Sequence, residues 1–146
     1  MPEKETLKRA AEDKREGKSA STQAGEFVRE EMHHIREGRH GAANTKQAIA
    51  IGLNKARKAG VKLGTPKKGT TSAKTRKSAQ SASQSAGKKP SSRRSKAVRG
   101  ALKKMPKSAA SRSALSRQAK VAAKKRSTSS RRAAARKADA TRKRAA

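Results

Sequence analysis

The sequence predicts an all-α protein: a small helical hairpin head followed by a long, largely disordered or conditionally helical basic tail. Three observations predict it. Only 13 of the 146 residues are Leu, Ile, Val or Phe, well under the ~20% below which a highly charged chain stays disordered. Nine of the 16 large apolar residues (counting Met) fall in 27–63, the one stretch where a core can form. Charge is divided as sharply. Residues 1–64 hold 14 basic and 9 acidic side chains, whereas 65–146 hold 27 basic and 1 acidic, a net of +26. That asymmetry is the pattern of a head carrying a polyanion-binding tail.

The head spans 1–64, with helices expected at about 3–16, 22–37 and 44–59. Residues 3–16 are mostly Glu, Lys, Arg and Ala, good helix formers, and Gly17 is placed to stop them. Leu7 is the only large apolar side chain there, so this helix is expected to be marginal. Ser21 or Thr22 is positioned to cap the second helix, whose Phe27, Val28, Met32 and Ile35 share a face. Gly38 follows its end. Asn44 and Gln47 have capping-box spacing and open the third helix, with Ile49, Leu53 and Ala56 as its stripe and Gly60 as its stop. A hairpin this short is near the lower limit for folding alone, and homodimerisation through Phe27, Met32 and Ile35 would be one remedy.

Residues 65–92, rich in Ser, Thr, Gly, Lys and Gln, read as a flexible linker. The tail, 93–146, is basic and conditionally helical. Val98, Leu102 and Met105 repeat at helical spacing, as do Leu115, Ala119 and Ala122, with Pro106 between them. Two short helices, 93–105 and about 109–125, are expected once phosphate neutralises their charge.

Composition excludes several functions. Without Cys there is no disulfide scaffold, iron–sulfur centre or Cys-based zinc finger. No apolar run approaches the ~18 residues of a membrane span, and Met1-Pro2-Glu3-Lys4 lacks the apolar stretch of a secretory signal. No phosphate-binding loop or nucleophile elbow is present. The expectation is a non-enzymatic protein without cofactor, membrane or metal, in the cytoplasm and associated with the nucleoid.

Its expected partner is nucleic acid. Lys67, Lys68, Arg93, Arg94, Lys103, Lys104, Lys124, Lys125, Arg126, Arg131, Arg132, Arg142, Lys143 and Arg144 are the candidate contacts. Cations brought to phosphates release condensed counterions, giving affinity that ignores sequence and falls steeply with salt. Thr65-Pro66-Lys67-Lys68 matches a turn found in histone tails. With one aromatic residue, Phe27, the chain lacks the stacking platforms of single-strand and RNA readers, so duplex DNA is favoured; the alternatives are an RNA- or ribosome-associated basic protein and a plasmid-maintenance or stress-response interaction protein. The hairpin also offers a DNA-reading helix at 44–59 with Lys46, Gln47, Asn54, Lys55, Arg57 and Lys58 outward, although Glu26, Glu30, Glu31 and Glu37 on the preceding helix repel phosphate. Glu30/His33 and Glu31/His34 have the i, i+3 spacing of carboxylate–histidine metal sites. With His40 and Glu37 they read instead as a solvated polar face.

Two resemblances accompany these readings. The run Ser21-Thr22-Gln23-Ala24-Gly25-Glu26-Phe27-Val28-Arg29-Glu30-Glu31-Met32-His33-His34-Ile35-Arg36-Glu37-Gly38, continued by Thr45-Lys46-Gln47-Ala48-Ile49-Ala50-Ile51-Gly52-Leu53 and Lys55-Ala56-Arg57-Lys58-Ala59-Gly60, resembles a small bacterial family built on a domain of unknown function. The resemblance covers roughly 1–68 and transfers no activity; some members carry labels such as plasmid stabilisation or DNA-binding protein. In composition the tail is similar to the Ala/Lys-rich tails of bacterial histone-like proteins.

Overall fold

The structure, a computed structural model, describes residues 1–145; Ala146, the last residue of the expected tail, lies outside them. The described chain is all-α, without a strand. It forms two compact units, Met1–Ser111 and Arg112–Ala146.

The first unit is built on a helix pair. Helix α2, Ala20–Arg36, is capped by Ser19, whose hydroxyl accepts from the Thr22 amide at 3.3 Å; the expected caps Ser21 and Thr22 lie inside the helix. Its buried stripe is Ala24, Phe27, Glu31 and Ile35, with Glu30 and Met32 beside it. Gly38, at φ +77°, turns the chain out of it. Helix α3, Thr45–Lys58, starts where Asn44 Oδ1 accepts from the Gln47 amide at 2.9 Å, and Gln47 Oε1 returns to the Ala43 amide at 2.7 Å.

The face α3 buries is small: Thr45, Ala48, Gly52 and Ala56, while Ile49 and Leu53 are half-buried at its flank. A Cβ at Gly52 would lie 2.7 Å from Val28 Cα, so the two backbones touch there. Phe27 and Ile35 are the largest apolar side chains that this packing removes from water, worth about 1.5–3 kcal/mol each.

Helix α1, Lys4–Arg15, packs on α2 although the sequence reads it as marginal. It buries Thr6 and Ala10 and leaves Leu7 exposed. Polar pairs do what apolar area cannot: Arg9 meets Glu26, and the Glu3 amide donates to Glu30 Oε2 at 3.1 Å. After α3 the chain folds back, and Val61 and Leu63 cover the cluster of Ala10, Ala24, Phe27 and Ala56. Phe27, Met32 and Ile35 are thereby buried within one chain, so the expected homodimer face is not available.

Two expectations about 65–111 are corrected. The flexible linker contains helix α4, Ala73–Gln84, capped by Ser72 and packed on α3. Ala79 and Ala82 are buried, and the Gly87 amide bonds the Lys58 carbonyl at 3.0 Å. Alanine and serine lack bulk, but that lets a helix approach closely, which a count of large apolar residues does not register. Helix α5, Ser92–Lys103, leads into a segment, 102–110, that docks on the α2–α3 turn rather than joining the tail. The Gly41 and Ala42 amides donate to the Leu102 and Pro106 carbonyls at 2.9 and 3.0 Å. Thr45 Oγ1 donates to Ala109 O at 2.7 Å and Arg36 Nε to Ala110 O at 2.9 Å, from a 3-10 turn at Ser108–Ala110.

The second unit holds α6, Arg112–Lys124, and α7, Thr128–Ala145. Where the sequence reading expects a largely disordered or conditionally helical tail, the structure is helical to Ala145. Ala, Arg and Lys are all favourable in helices, and Ser127 Oγ caps α7 by accepting from the Ser130 amide at 3.2 Å. No residue of 112–144 is buried. Among the described residues, no helix is long and apolar enough to cross a membrane.

Candidate functional site

The fourteen candidate nucleic-acid contacts are all exposed. Lys67 and Lys68 occupy a turn closed by Thr70, whose hydroxyl and amide bond the Lys67 carbonyl at 2.7 and 3.2 Å. Arg93, Arg94 and Lys103 lie on α5, where Arg93, Lys96, Arg99 and Lys103 follow one face, and Lys104 is the C-cap. Lys124 ends α6, and Lys125 and Arg126 begin the connection to α7. Arg131, Arg132, Arg142, Lys143 and Arg144 lie on α7, distributed around its circumference.

Their electrostatic state sets them apart. Among the described residues, Arg142 alone of the fourteen has a carboxylate partner, Asp139 at 3.4 Å. In the head, five of the fourteen Lys and Arg have a carboxylate partner: Arg9, Arg15, Lys18, Arg39 and Lys55. Lys18 lies 2.8 Å from Asp13 and 2.7 Å from Glu16, and both carboxylates push its pKa up. Arg39 lies 2.7 Å from Glu3 and 2.8 Å from Glu37. The Glu3 carboxyl is held below the usual range by hydrogen bonds from His34 and Arg39. Each of the head's nine carboxylates therefore has a basic partner, whereas the later helices offer one carboxylate, Asp139.

The alternative reading helix is occupied. Lys55 Nζ lies 2.6 Å from Glu31 Oε2 and 3.3 Å from Glu30 Oε1. Arg57 is buried, donates to Gly64 O at 3.2 Å, and has its pKa lowered by burial. Gln47 serves the cap, and Asn54 donates to Ser78 Oγ at 3.4 Å beneath α4. Only Lys46 and Lys58 remain fully outward.

The histidine–glutamate group is not the solvated face expected of it. Glu31 is fully buried, and His34 and His40 are 12% exposed; His33, at 70%, alone faces solvent, with Glu37 at 3.1 Å. Burial pushes the Glu30 carboxyl up, but the Thr6 hydroxyl, the Glu3 amide and Lys55 outweigh it and hold it below the usual range. The sequence reading missed Lys55 as the counter-ion of this group, since only folding α3 against α2 brings it there.

Comparison with protein families, curated proteins and solved structures finds no match.

Proposed function

We propose that this is a non-enzymatic, largely sequence-independent DNA-binding protein, a histone-like nucleoid accessory that neutralises phosphates with the exposed cations of residues 67–144. One observation carries the reading: fourteen exposed basic side chains of which, among the described residues, only Arg142 has an acidic neighbour, while the head's carboxylates are engaged within the head. Duplex is favoured over single-stranded or loop-reading targets because Phe27, the one aromatic ring of Phe, Tyr or Trp type, is buried and cannot stack on a base. The head acts as a compact platform. No residue of 112–144 is buried, and the helices there carry mostly one sign of charge, which makes them conditional: isolated helices of such length are marginal in water, and like charges along them repel until phosphate is present.

The test is a salt titration of the full chain against a duplex DNA and a structured RNA, followed by circular dichroism. Duplex affinity should fall by orders of magnitude between roughly 50 and 200 mM salt, and helicity should rise on binding. Affinity independent of salt would refute the proposal. Tighter binding of the RNA at matched salt would assign the cations to an A-form target.

A further inference from the structure

We propose that Glu31, His34 and His40 form a binding site for a divalent transition-metal ion of the Zn²⁺ class. One donor atom of each lies within 4.8 Å of those of the other two. Two imidazoles and a carboxylate are a borderline-soft donor set suited to zinc and its neighbours rather than to magnesium or calcium.

The ring orientations support a metal independently of proximity. His40 Nδ1 lies 3.1 Å from the Gly41 carbonyl oxygen. A carbonyl only accepts, so that nitrogen carries the proton of the neutral ring. The lone pair is left on Nε2, 3.0 Å from Glu31 Oε1. A lone pair facing a carboxylate oxygen is repulsive unless a proton or a metal cation stands between them. At His34, Nε2 lies 2.9 Å from Glu3 Oε1 and 3.0 Å from Arg39 Nη1, which itself engages that carboxylate at 2.7 Å, and Nδ1 lies 3.9 Å from Glu30 Oε1. His40 thus has one nitrogen anchored on an oxygen acceptor and the other facing Glu31, the outer-shell arrangement that fixes metal-ligating histidines, and His34 is held by Glu3 and Arg39.

Glu31 supplies the second sign. It is fully buried, and neither carboxylate oxygen makes a hydrogen bond. His40 and Lys55 stand within ion-pair distance, but neither meets hydrogen-bond geometry. A buried carboxylate without hydrogen bonds is costly, and a dication would remove that cost. Metal–nitrogen bonds of about 2.0–2.1 Å set tetrahedral donors about 3.3 Å apart, so the two rings, now edge to face with centroids 6.3 Å apart, need only side-chain rotation to close. Lys55, 24% exposed on the Oε2 side, stays as a counter-ion or swings into solvent, and water completes the coordination.

The consequence reaches beyond the site. His40 belongs to the turn whose Gly41 and Ala42 amides hold Leu102 and Pro106, so a metal on His40 fastens that turn to α2 and strengthens the docking of 102–110.

The experiment is isothermal titration of the full chain with Zn²⁺ in metal-free buffer against a competing chelator, with ¹⁵N-resolved histidine spectra of the unmutated protein. The expected result is one tightly bound ion per chain that shifts His34 and His40 and leaves His33 unmoved. His33→Ala should bind as the parent does. Glu3→Ala, which removes only an outer-shell acceptor, should weaken binding by about 10–100-fold, and Glu31→Gln and His40→Ala by at least as much. No stoichiometric binding, equal shifts at all three histidines, or equal losses in His33→Ala and His40→Ala would each overturn the site. The spectra of the unmutated chain decide the matter even if a variant fails to fold.

Discussion

Neutralising Lys124, Lys125 and Arg126 together, each to Gln, is the perturbation that tests the proposed interface most directly. Eight of the candidate contacts lie beyond Ser111: these three, Arg131, Arg132, Arg142, Lys143 and Arg144. A cation at a duplex phosphate contributes about 0.9 to the slope of log affinity against log salt. If all eight touch phosphate, they contribute about −7 to the slope, and through them a fourfold rise in salt weakens binding by roughly 10⁴. Removing three lowers that contribution to about −4.5, and through it the same rise then costs only roughly 500-fold. Gln keeps helix propensity close to that of Lys and Arg, so circular dichroism should show the helices unchanged. The assay is fluorescence anisotropy of a labelled duplex over a salt series. The control is Arg15→Gln with Lys18→Gln, since those cations are already paired with Glu12, Asp13 and Glu16; its slope should match the parent's. Equal changes of slope in both variants, or none in the triple variant, would refute the reasoning that exposed, unpaired cations carry the binding.

Two further predictions concern the platform. Gly52→Ala places a methyl group 2.7 Å from Val28 Cα and should destabilise by about 1–3 kcal/mol, the usual cost of overpacking; Gly25→Ala, in the same helix pair but with nothing within 4 Å of the new atom, should stabilise by about 0.5–1 kcal/mol. Urea denaturation of both measures the sign, and like signs would show that α2 and α3 do not meet where the structure places them. Arg57→Met should hold or raise stability by about 1 kcal/mol, because it removes a buried guanidinium whose Nε has no hydrogen-bond partner and whose unmet bond costs about 1–3 kcal/mol. A loss above about 1 kcal/mol in the same melts would mean that the Gly64 contact outweighs that penalty.

What the sequence makes legible is what local chemistry decides. Asn44 with Gln47, and Gly38 past the end of α2, announce helix ends because caps act within one turn. The exposure of the basic side chains is legible for the same reason: among the described residues, a lysine of the later helices with no carboxylate near it in sequence has none near it in the fold either. Packing is less legible because this chain packs with small residues. The apolar stripe Ile49–Leu53 ends half-buried while Ala48, Gly52 and Ala56 touch α2, and Ala79, Ala82, Ala109 and Ala110 dock segments that composition assigns to a linker and a tail. The buried histidine–glutamate group is invisible because its members come from α2, the turn beyond it and α3, and only tertiary contact turns Glu30 and Glu31 from phosphate-repelling groups into partners of Lys55.

One physical cause underlies both what is legible and what is not. With 13 Leu, Ile, Val and Phe in 146 residues, apolar burial alone cannot hold a head together. Polar pairs between elements must contribute as well, and they do: Arg9 with Glu26, Glu3 with Arg39, Glu30 and Glu31 with Lys55. Glu26, Glu30 and Glu31 are withdrawn from the surface in these pairs, while Glu3 stays half-exposed. Nine of the ten acidic residues lie between Glu3 and Glu37, and most of them are engaged within the head. The cations of the later helices are therefore left with almost no internal partner. The scarcity of large apolar residues that weakens the head thus also leaves the later helices open to an external polyanion, and the fold and the proposed function follow from one feature of the composition.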